Sequence, residues 1–531
     1  MDPTSSARPA ALPLDPPVLV AGFLLSLTAV AAGYWMGDDF IPRFANHRGY
    51  FMVEVDDHVP MGTEALPRHA TFVLVDGLRA DFAEKLGSVA RLRAEGQCRL
   101  TDVGALTVST PVYAEFSTGL EQDRTGSRTN DEPGPLSAES FWQVARRSGR
   151  TVRGVSELPF WQRLFPDGFT EYTLVKPEEN AFARATPSPL LLIHPVYVDQ
   201  AGHDHGAAST EYAHAVRRVD AELSAFLDRI DPSRDLIIFT ADHGHTDAGG
   251  HGGPSPEIRR VLTCFSGAGI VRREQPTELL DGRSLAAIVS VLLGLPFPRH
   301  MRAGEDGLGE LWEIVDRSKL NAAFADDRDG AIERFRAANR DQLAVWLGAS
   351  ARPTWSSLYD RERNRQWLRG AGLGSLVLGG VVWVCWRRHG KGGVARWLIW
   401  TAANLVLTLG IFARARGGLD FSAVNTRDVF IPTSLLIASS VALLGVSVHW
   451  AVVRSLSILV VDQVLFVALA LGWMSCHVAT FGRPFGFPIP GPEVLFFGLF
   501  GPIFVVVQGL FGVALSSVAF VLVRRARRHG G

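Results

Sequence analysis

The chain contains 531 residues, and its 53 lysine and arginine residues nearly balance its 54 aspartate and glutamate residues, for a formal net charge of −1. This balance excludes a basic nucleic-acid-binding protein, because binding to phosphate backbones needs a surplus of positive charge. The mean hydropathy of +0.13 is instead typical of a membrane protein that also carries a water-soluble domain. The length is sufficient for one large α/β domain and several membrane spans.

The first predicted element is a membrane anchor within residues 1–36. The run from Val18 to Met36 contains no charged residue and is long enough to cross a bilayer. Because no clear small-residue cleavage motif accompanies it, we predict a retained anchor rather than a removed signal peptide. Residues 37–67 are predicted to form a linker to a soluble domain that extends over residues 68–350.

Three apolar runs in this soluble domain predict buried strands. They are Thr71–Val75, Leu190–Val198 and Leu236–Thr240. Runs that are apolar throughout are typical of parallel strands with helices on both faces, so we predict an α/β fold with a mostly parallel central sheet. Segments 138–150 and 212–227 have helical spacing and are predicted to cover the sheet, whereas residues 125–136 are predicted to form a surface loop.

Each of these runs is followed by residues of the types that bind divalent metal ions. Asp and neutral His side chains suit zinc or a similar ion, and two ions need about six or seven such groups. The candidate ligands, all expected at loop positions, are Asp76, Asp199, His203, Asp242, His243 and His251. Any one of them alone is more commonly a solvated or hydrogen-bonded loop residue. Three clusters that each follow a strand favour a metal centre at one edge of the sheet.

These motifs resemble those of the alkaline phosphatase superfamily, in its branch of phosphodiesterases and phosphoethanolamine transferases. The resemblance covers residues 68–310 and is strongest to the GPI ethanolamine phosphate transferases, in particular those that modify the first mannose. The stretches that carry it are Val75–Asp81, Asp199–His203, Thr240–Gly252 and Leu293–Pro298. The chain contains no Cys-x-Pro-x-Arg sequence, which argues against the sulfatase branch.

The resemblance implies two divalent ions, with zinc preferred and manganese as the alternative, and a hydroxyl nucleophile. In the family the nucleophile lies at a fixed spacing before a Gly-Leu pair, and Ser109 is the hydroxyl residue at that spacing. It is therefore the candidate nucleophile, and Thr107 and Thr110 are the alternatives. The implied ligands of one ion are Asp76, Ser109, Asp242 and His243, and those of the other are Asp199, His203 and His251. The neighbours expected to orient ligands or face the substrate are His205, His245 and Asp247.

The chain beyond residue 372 is predicted to form a transmembrane domain of five helices, residues 373–531, after a juxtamembrane segment at 351–372. The predicted spans are Leu373–Trp386, Trp397–Ala413, Val429–Val453, Leu456–Met474 and Val494–Val523. Most basic loop residues fall on the side of the N-terminus, so the positive-inside rule places the soluble domain outside the cytoplasm. A bacterial plasma membrane with a periplasmic domain and an endoplasmic reticulum membrane with a lumenal domain both fit.

Two details stay open at the level of sequence. Cys98 and Cys264 both lie in the soluble part, and no spacing rule decides whether they pair. Asp462 is an acid inside a predicted span, and it either has a function there or extends its carboxylate to the cytoplasmic surface.

The resemblance implies a membrane-bound two-metal enzyme that moves phosphoethanolamine from a phospholipid donor, phosphatidylethanolamine, to a hydroxyl of a glycan or glycolipid, through a phospho-serine intermediate. The alternative enzyme is a membrane-anchored phosphodiesterase or nucleotide pyrophosphatase, which uses water as the acceptor. The alternative outside enzymes is a catalytically silent scaffold that binds membrane lipid. The complete set of ligand types argues against the silent scaffold.

Overall fold

The structure is a computed structural model that describes residues 65–130, 134–273, 278–299, 301, 308–319, 355–481, 496 and 501–529. The predicted anchor and nearly all of the predicted linker lie outside the described residues, as do residues 320–350 of the predicted soluble domain. The domain boundaries therefore stay predictions.

The soluble domain is built on one eight-stranded sheet with the strand order β4-β3-β5-β1-β6-β7-β2-β8. Its strands are β1 His69–Leu74, β2 Gly96–Asp102, β3 Val152–Ser156, β4 Glu171–Leu174, β5 Leu190–His194, β6 Asp235–Thr240, β7 Arg260–Gly267 and β8 Leu280–Asp281. Strand β7 runs antiparallel to β6 and β2, and the other pairs are parallel. The predicted α/β fold with a mostly parallel sheet is confirmed.

The three strands predicted from the apolar runs are adjacent in the centre of this sheet. Strand β1 pairs with β5 on one side and with β6 on the other, both in parallel, and all residues of β5 and β6 are buried. Strand β5 is shorter than predicted. It ends at His194 because Pro195 has no backbone N–H to continue the ladder, and a helix begins at Tyr197.

Helices pack on both faces of the sheet and supply the rest of the core. They are α1 Ala80–Ala83, α2 Gly87–Ala94, α3 Ser109–Thr118, α4 Gln122–Thr125, α5 Phe141–Arg147, α6 Phe160–Leu164, α7 Ala181–Arg184, α8 Tyr197–His205, α9 Thr210–Leu227, α10 Pro256–Arg259, α11 Ser284–Leu292 and α12 Leu308–Ile314. The predicted helix over 212–227 is confirmed, and Ser209 caps its N-terminus through Tyr212 N. The helix predicted over 138–150 is shorter, because a capping box at Ser140 starts it late and a left-handed Gly149 follows its end.

A disulfide joins Cys98 of β2 to Cys264 of β7. The two residues are directly opposite each other in the antiparallel pair. The pairing that the sequence left open is therefore present, and it crosslinks two strands that are distant along the chain.

Within its described residues, the C-terminal part contains four long apolar helices, α13 Trp355–Arg416, α14 Arg427–Val453, α15 Leu456–Phe481 and α16 Gly501–His529. Each contains a segment long and apolar enough to cross a membrane. Helix α13 combines two predicted spans and is interrupted at Gly390, whose φ of 68° is not helical. Cys385 before this glycine and Trp397 after it are buried in the same apolar cluster with Phe466 of α15. The two halves therefore pack against the same helix, as two separate spans would.

The outer surface of these helices carries large apolar side chains, such as Leu376 at 74% exposure and Val406 at 72%. A surface of this kind is unfavourable in water and is suited to lipid. Asp462, by contrast, is fully buried, and its carboxylate lies 2.7 Å from His449 Nε2 and 3.2 Å from His389 Nε2. It pairs inside the bundle, so of the two alternatives that the sequence left open, the one in which the carboxylate extends to the cytoplasmic surface is wrong.

Candidate metal centre

The candidate ligands meet at the carboxyl ends of β1, β5 and β6. Asp76 follows β1, Asp242 follows β6, and Asp199 lies on α8 just after β5. Gly77 has a φ of +71°, and a Cβ atom there would lie 2.7 Å from Asp199 Cα, so only glycine allows the three strand ends to approach this closely. Its N–H donates to Asp242 Oδ1 at 3.0 Å, which links the first and third clusters directly.

The first ligand group consists of Asp76, Asp242 and His243, and all three side chains are buried. His243 Nε2 lies 3.5 Å from Asp76 Oδ1 and 3.2 Å from Asp242 Oδ2. Both of these carboxylate oxygens are buried without a hydrogen-bond partner. Two orphaned carboxylate oxygens beside an imidazole nitrogen are unfavourable unless a cation neutralises them, so this group fits a divalent ion.

The acidities agree with that fit. Burial, and next the charge of Asp76, raises the pKa of Asp242 well above its usual range. Burial lowers the pKa of His243 to about 4. A neutral imidazole is the form that binds a metal ion, and a positive ion would return Asp242 to its ionised form.

The second ligand group consists of Asp199, His203 and His251. His203 Nε2 lies 3.4 Å from Asp199 Oδ2 and 3.1 Å from His251 Nε2, and His251 Nε2 lies 3.8 Å from Asp199 Oδ1. Asp199 and His203 are four residues apart on α8, which places them on one face of a helix. The expectation that all ligands occupy loops is wrong for these two residues.

The hydrogen bonds of three histidines leave Nε2 free for a metal ion. Nδ1 of His251 lies 2.8 Å from the carbonyl oxygen of Thr107, and Nδ1 of His243 lies 3.1 Å from that of Gly244. Nδ1 of His203 contacts Oδ1 of Asn425. Because oxygens of carbonyl groups only accept, each Nδ1 carries a proton, and in the neutral ring the lone pair therefore lies on Nε2.

His245 has the opposite arrangement. Its Nδ1 accepts a hydrogen bond from the backbone N–H of Gly250 at 3.2 Å, so its Nε2 carries the proton and donates to Asp199 Oδ1 at 2.8 Å. His245 therefore orients a ligand carboxylate. Burial alone would raise the pKa of Asp199, but His203 and His245 hold it well below its usual range.

Ser109 is the first residue of α3, and its Oγ lies 3.3 Å from His243 Nε2. The alternative hydroxyls are used elsewhere. Thr107 Oγ1 donates to Gly253 O at 2.8 Å, and Thr110 Oγ1 donates to Thr129 O at 2.6 Å. Of the three hydroxyls in this segment, that of Ser109 is the one beside the first ligand group.

Asn130 also belongs to the site, although no motif or spacing in the sequence indicated it. Its Nδ2 donates to Ser109 Oγ at 3.1 Å, and its Oδ1 accepts from Thr110 N at 3.0 Å. It lies in the segment predicted to be a surface loop. That prediction is wrong for residues 125–128, which are buried, and the segment holds Asn130 beside Ser109 on α3.

Tyr113 and His194 complete the surroundings of Asp76. The Tyr113 hydroxyl donates to Asp76 Oδ2 at 2.5 Å, and His194 Nε2 lies 3.2 Å from the same oxygen. Burial, and next the charge of Asp76, raises the pKa of Tyr113 well above its usual range, so it stays a donor. Tyr113 is four residues after Ser109 on one helix, and this spacing could have identified it from the sequence.

The remaining two candidates lie at the rim. His205 is exposed at the end of α8. Asp247 is exposed and accepts a hydrogen bond from Arg79 Nη1 at 2.7 Å. Their positions suit contact with a substrate rather than with an ion, and their roles stay predictions.

Parts of this chain are similar to known proteins. A model of the Type I phosphodiesterase / nucleotide pyrophosphatase family matches residues 156–252. The catalytic subunit of GPI ethanolamine phosphate transferase 3 from Mus musculus is 25% identical over 267 residues, which cover 43% of this chain and 24% of that protein. GPI ethanolamine phosphate transferase 1 from Emericella nidulans is 29% identical over 366 residues, which cover 54% of this chain and 38% of that protein.

This chain thus spans 24% and 38% of the length of these two relatives. Among solved structures, murine ectonucleotide pyrophosphatase / phosphodiesterase 5 matches with a TM-score of 0.38 and 16% identity, covering 43% of this chain and 96% of that chain. The family model and the curated relatives confirm the resemblance to the phosphodiesterase and phosphoethanolamine transferase branch.

Proposed function

We propose that this protein is a membrane-bound phosphoryl transferase that moves phosphoethanolamine from phosphatidylethanolamine to a hydroxyl of a glycan or glycolipid. The observation that carries the proposal is the contact of Ser109 Oγ with a buried group of metal-type ligands that contains two orphaned carboxylate oxygens. This combination is suited to an activated hydroxyl nucleophile. The similarity to GPI ethanolamine phosphate transferases supports the choice of transferred group.

Two divalent ions, which we take to be zinc, would supply Lewis acidity that lowers the pKa of the Ser109 hydroxyl and offsets charge on the phosphoryl oxygens. The ligands assigned to one ion are Asp76, Ser109, Asp242 and His243, and those assigned to the other are Asp199, His203 and His251.

The reaction is written as two in-line displacements at phosphorus. Ser109 Oγ forms a bond to phosphorus while the bond to the diacylglycerol oxygen breaks, and the proton of the serine hydroxyl goes to the leaving oxygen. The acceptor hydroxyl then attacks the phosphoserine, its proton returns to Ser109 Oγ, and the bond between phosphorus and Oγ breaks. Asn130 Nδ2, which donates to Oγ at 3.1 Å, orients the nucleophile before the first displacement.

A second candidate function is hydrolysis of a phosphodiester, with water as the acceptor. The match of residues 156–252 to a phosphodiesterase and nucleotide pyrophosphatase family favours it. The long apolar helices favour the lipid donor instead, because four candidate spans exceed what anchoring of a soluble hydrolase requires. Exposing acyl chains to water costs about 0.8 kcal/mol per methylene, so a diacylglycerol leaving group has to remain in the bilayer.

We place the soluble domain in an oxidising compartment, either the bacterial periplasm or the lumen of the endoplasmic reticulum. The disulfide between Cys98 and Cys264 supports this placement, because disulfides are rare in the reducing cytosol. It agrees with the positive-inside rule applied to the apolar helices.

The test uses the full chain reconstituted in lipid vesicles with phosphatidylethanolamine that is labelled in its headgroup. We expect release of diacylglycerol, label on the peptide that contains Ser109, and transfer of that label to an added glycolipid. Ser109→Ala should abolish all three signals, and Thr110→Ala should retain the labelled peptide. Faster cleavage of soluble nucleotide diesters than of phospholipid, retained after truncation at residue 350, would establish the hydrolase instead.

A further inference from the structure

A loop of the membrane domain lies directly on the candidate metal centre. This loop, which we call the docking loop, comprises residues 417–426 between α13 and α14 and contains a short 3-10 helix at Phe421–Ala423. It contacts residues 248–253, the segment that carries the ligand His251. The contact joins two membrane helices to the segment that carries a candidate metal ligand.

The glycines around His251 make this close contact possible. A Cβ atom on Gly250 would lie 2.2 Å from the carbonyl oxygen of Ser422, and a Cβ atom on Gly253 would lie 2.3 Å from Asp420 Oδ1. The first distance excludes a side chain at Gly250, because the clash is with backbone, and the second requires the Asp420 side chain to move. The glycine-rich run that follows the metal motif is therefore explained by the docking loop as well as by backbone conformation.

Arg416 fixes the docking loop to the soluble domain. Its side chain is buried, its Nη2 donates to Gly249 O at 3.2 Å, and its Nε donates to Ala423 O at 3.2 Å. One guanidinium group thus bridges the segment before His251 and the 3-10 helix of the docking loop. Hydrogen bonds from a charged donor are stronger than neutral ones, so the two segments are held in a defined arrangement.

Asn425 extends from this loop to the ligand His203. Its Nδ2 donates to the carbonyl oxygen of His203 at 3.0 Å, and its Oδ1 accepts from His203 Nδ1. The orientation of the amide is determined, because a carbonyl oxygen accepts only and so faces the NH2 group. Asn425 has a φ of +55°, a left-handed conformation that asparagine tolerates better than most residues.

We infer that Asn425 is a positioning residue that the membrane domain supplies to the second metal site. By accepting a hydrogen bond from Nδ1–H, it directs the lone pair of the neutral ring to Nε2 of His203, which lies 3.1 Å from His251 Nε2 and 3.4 Å from Asp199 Oδ2. The second site is therefore incomplete without the docking loop, whereas the first group has no contact of this kind among the described residues. The inference rests on the ligand sets of the proposed function.

The experiment measures zinc binding by the full-length metal-free protein in detergent, in competition with a chromogenic chelator. Asn425→Gly removes the amide and keeps the left-handed backbone accessible. We expect wild-type protein to bind two ions and the variant to lose about 10- to 100-fold in affinity for one ion only. Arg454→Gly is the matched control, because Arg454 is another left-handed residue of the membrane domain, with a φ of 53°. The Arg454→Gly protein should bind both ions as wild type does.

Two further variants separate positioning from general destabilisation. Asn425→Asp keeps an acceptor for Nδ1 and should recover most of the lost affinity, while Asp242→Ala should weaken the other ion instead. Wild-type affinity for both ions in Asn425→Gly, or an equal loss at both sites, would overturn the inference even if the thermal stability falls. Wild-type protein that binds no ion would instead overturn the metal centre, and with it the proposed function.

Discussion

Replacing Asp242 by asparagine should have opposite effects on stability in the presence and in the absence of metal. In the metal-free protein, Oδ1 of Asp242 accepts two backbone hydrogen bonds, from Gly77 and from His243, each at 3.0 Å. An asparagine oxygen can accept both of them. Oδ2 has no partner, and its neighbour Asp76 presents a second unpartnered oxygen within the same group of ligand atoms. The new NH2 group would donate a hydrogen bond to this oxygen of Asp76, and the substitution would remove one buried ionisable group.

The magnitude follows from the cost of an uncompensated buried charge, which is about 3–5 kcal/mol. For a domain of about 250 residues, 1 kcal/mol corresponds to roughly 2–4 °C in Tm. Allowing for partial relaxation, we expect metal-free Asp242→Asn to unfold about 5–10 °C above metal-free wild type at pH 8. In saturating zinc the order should reverse, because the variant loses an anionic ligand and the stabilisation that bound metal provides.

The pH dependence has a definite sign. Burial, and then Asp76, raises the pKa of Asp242 in the metal-free folded protein above its value in the unfolded chain. The protonated carboxyl is therefore favoured by folding, and this contribution is lost as the pH rises through the raised pKa. The advantage of the variant should be largest at pH 8 and should shrink as the pH falls, because wild-type Asp242 becomes neutral.

The assay is thermal unfolding of both proteins with chelator and with zinc at several pH values, with a tryptophan fluorescence signal. Comparing the two proteins at each pH cancels the titration of the histidines, which both share. If metal-free wild type were as stable as metal-free Asp242→Asn at pH 8, the two carboxylates would not be in the strained, cation-requiring arrangement described above. An increase of the difference at low pH would refute the sign of the argument.

Three other changes test separate parts of the site. Tyr113→Phe removes the hydrogen bond that holds Asp76 and should lower kcat/KM by roughly 10- to 160-fold, from about 1.5–3 kcal/mol for a hydrogen bond to a charged group. The control Tyr172→Phe removes a partly buried hydroxyl that donates to a backbone carbonyl at 2.7 Å, and it should change kcat/KM less than twofold in the same steady-state assay. Ser109→Ala should remove the phosphorylated peptide from mass spectra, while zinc binding at the second site stays unchanged. Phosphate found on a threonine of that segment would contradict the assignment of Ser109 as the nucleophile. Replacing both disulfide cysteines by alanine should lower the free energy of unfolding by about 2–5 kcal/mol, and an unchanged urea midpoint would show that the crosslink does not contribute.

The sequence alone was sufficient to predict the centre of the fold and most of the candidate ligands. The apolar runs that form most of β1, β5 and β6 are each followed by an aspartate, Asp76 after β1, Asp199 on α8 after β5, and Asp242 after β6. Burial on both faces produces such runs, and parallel strands bring their carboxyl ends to one edge. Local pattern and one topological rule therefore carried the prediction from residues to a shared site.

The chemical roles of the histidines required the tertiary structure. His243, His245 and His251 lie in one short segment and look equivalent in the sequence. They differ in the backbone group that faces Nδ1. At His243 and His251 this group is a carbonyl oxygen, which leaves Nε2 free for a metal ion, whereas at His245 it is an N–H, so Nε2 has to carry the proton. The direction of a hydrogen bond depends on which backbone group folding brings to the ring, and no residue pattern records it.

Distance along the chain explains why the sequence did not identify two further residues of the site. Asn130 reaches Ser109 from a segment whose composition indicates a surface loop, and Asn425 reaches His203 from 222 residues away in another domain. Sequence periodicity identifies what each segment buries, and it therefore predicts strands, helices and spans from neighbours only a few residues apart. Contacts between segments depend on how those elements pack against one another, so only the packed structure determines which amide reaches which ligand.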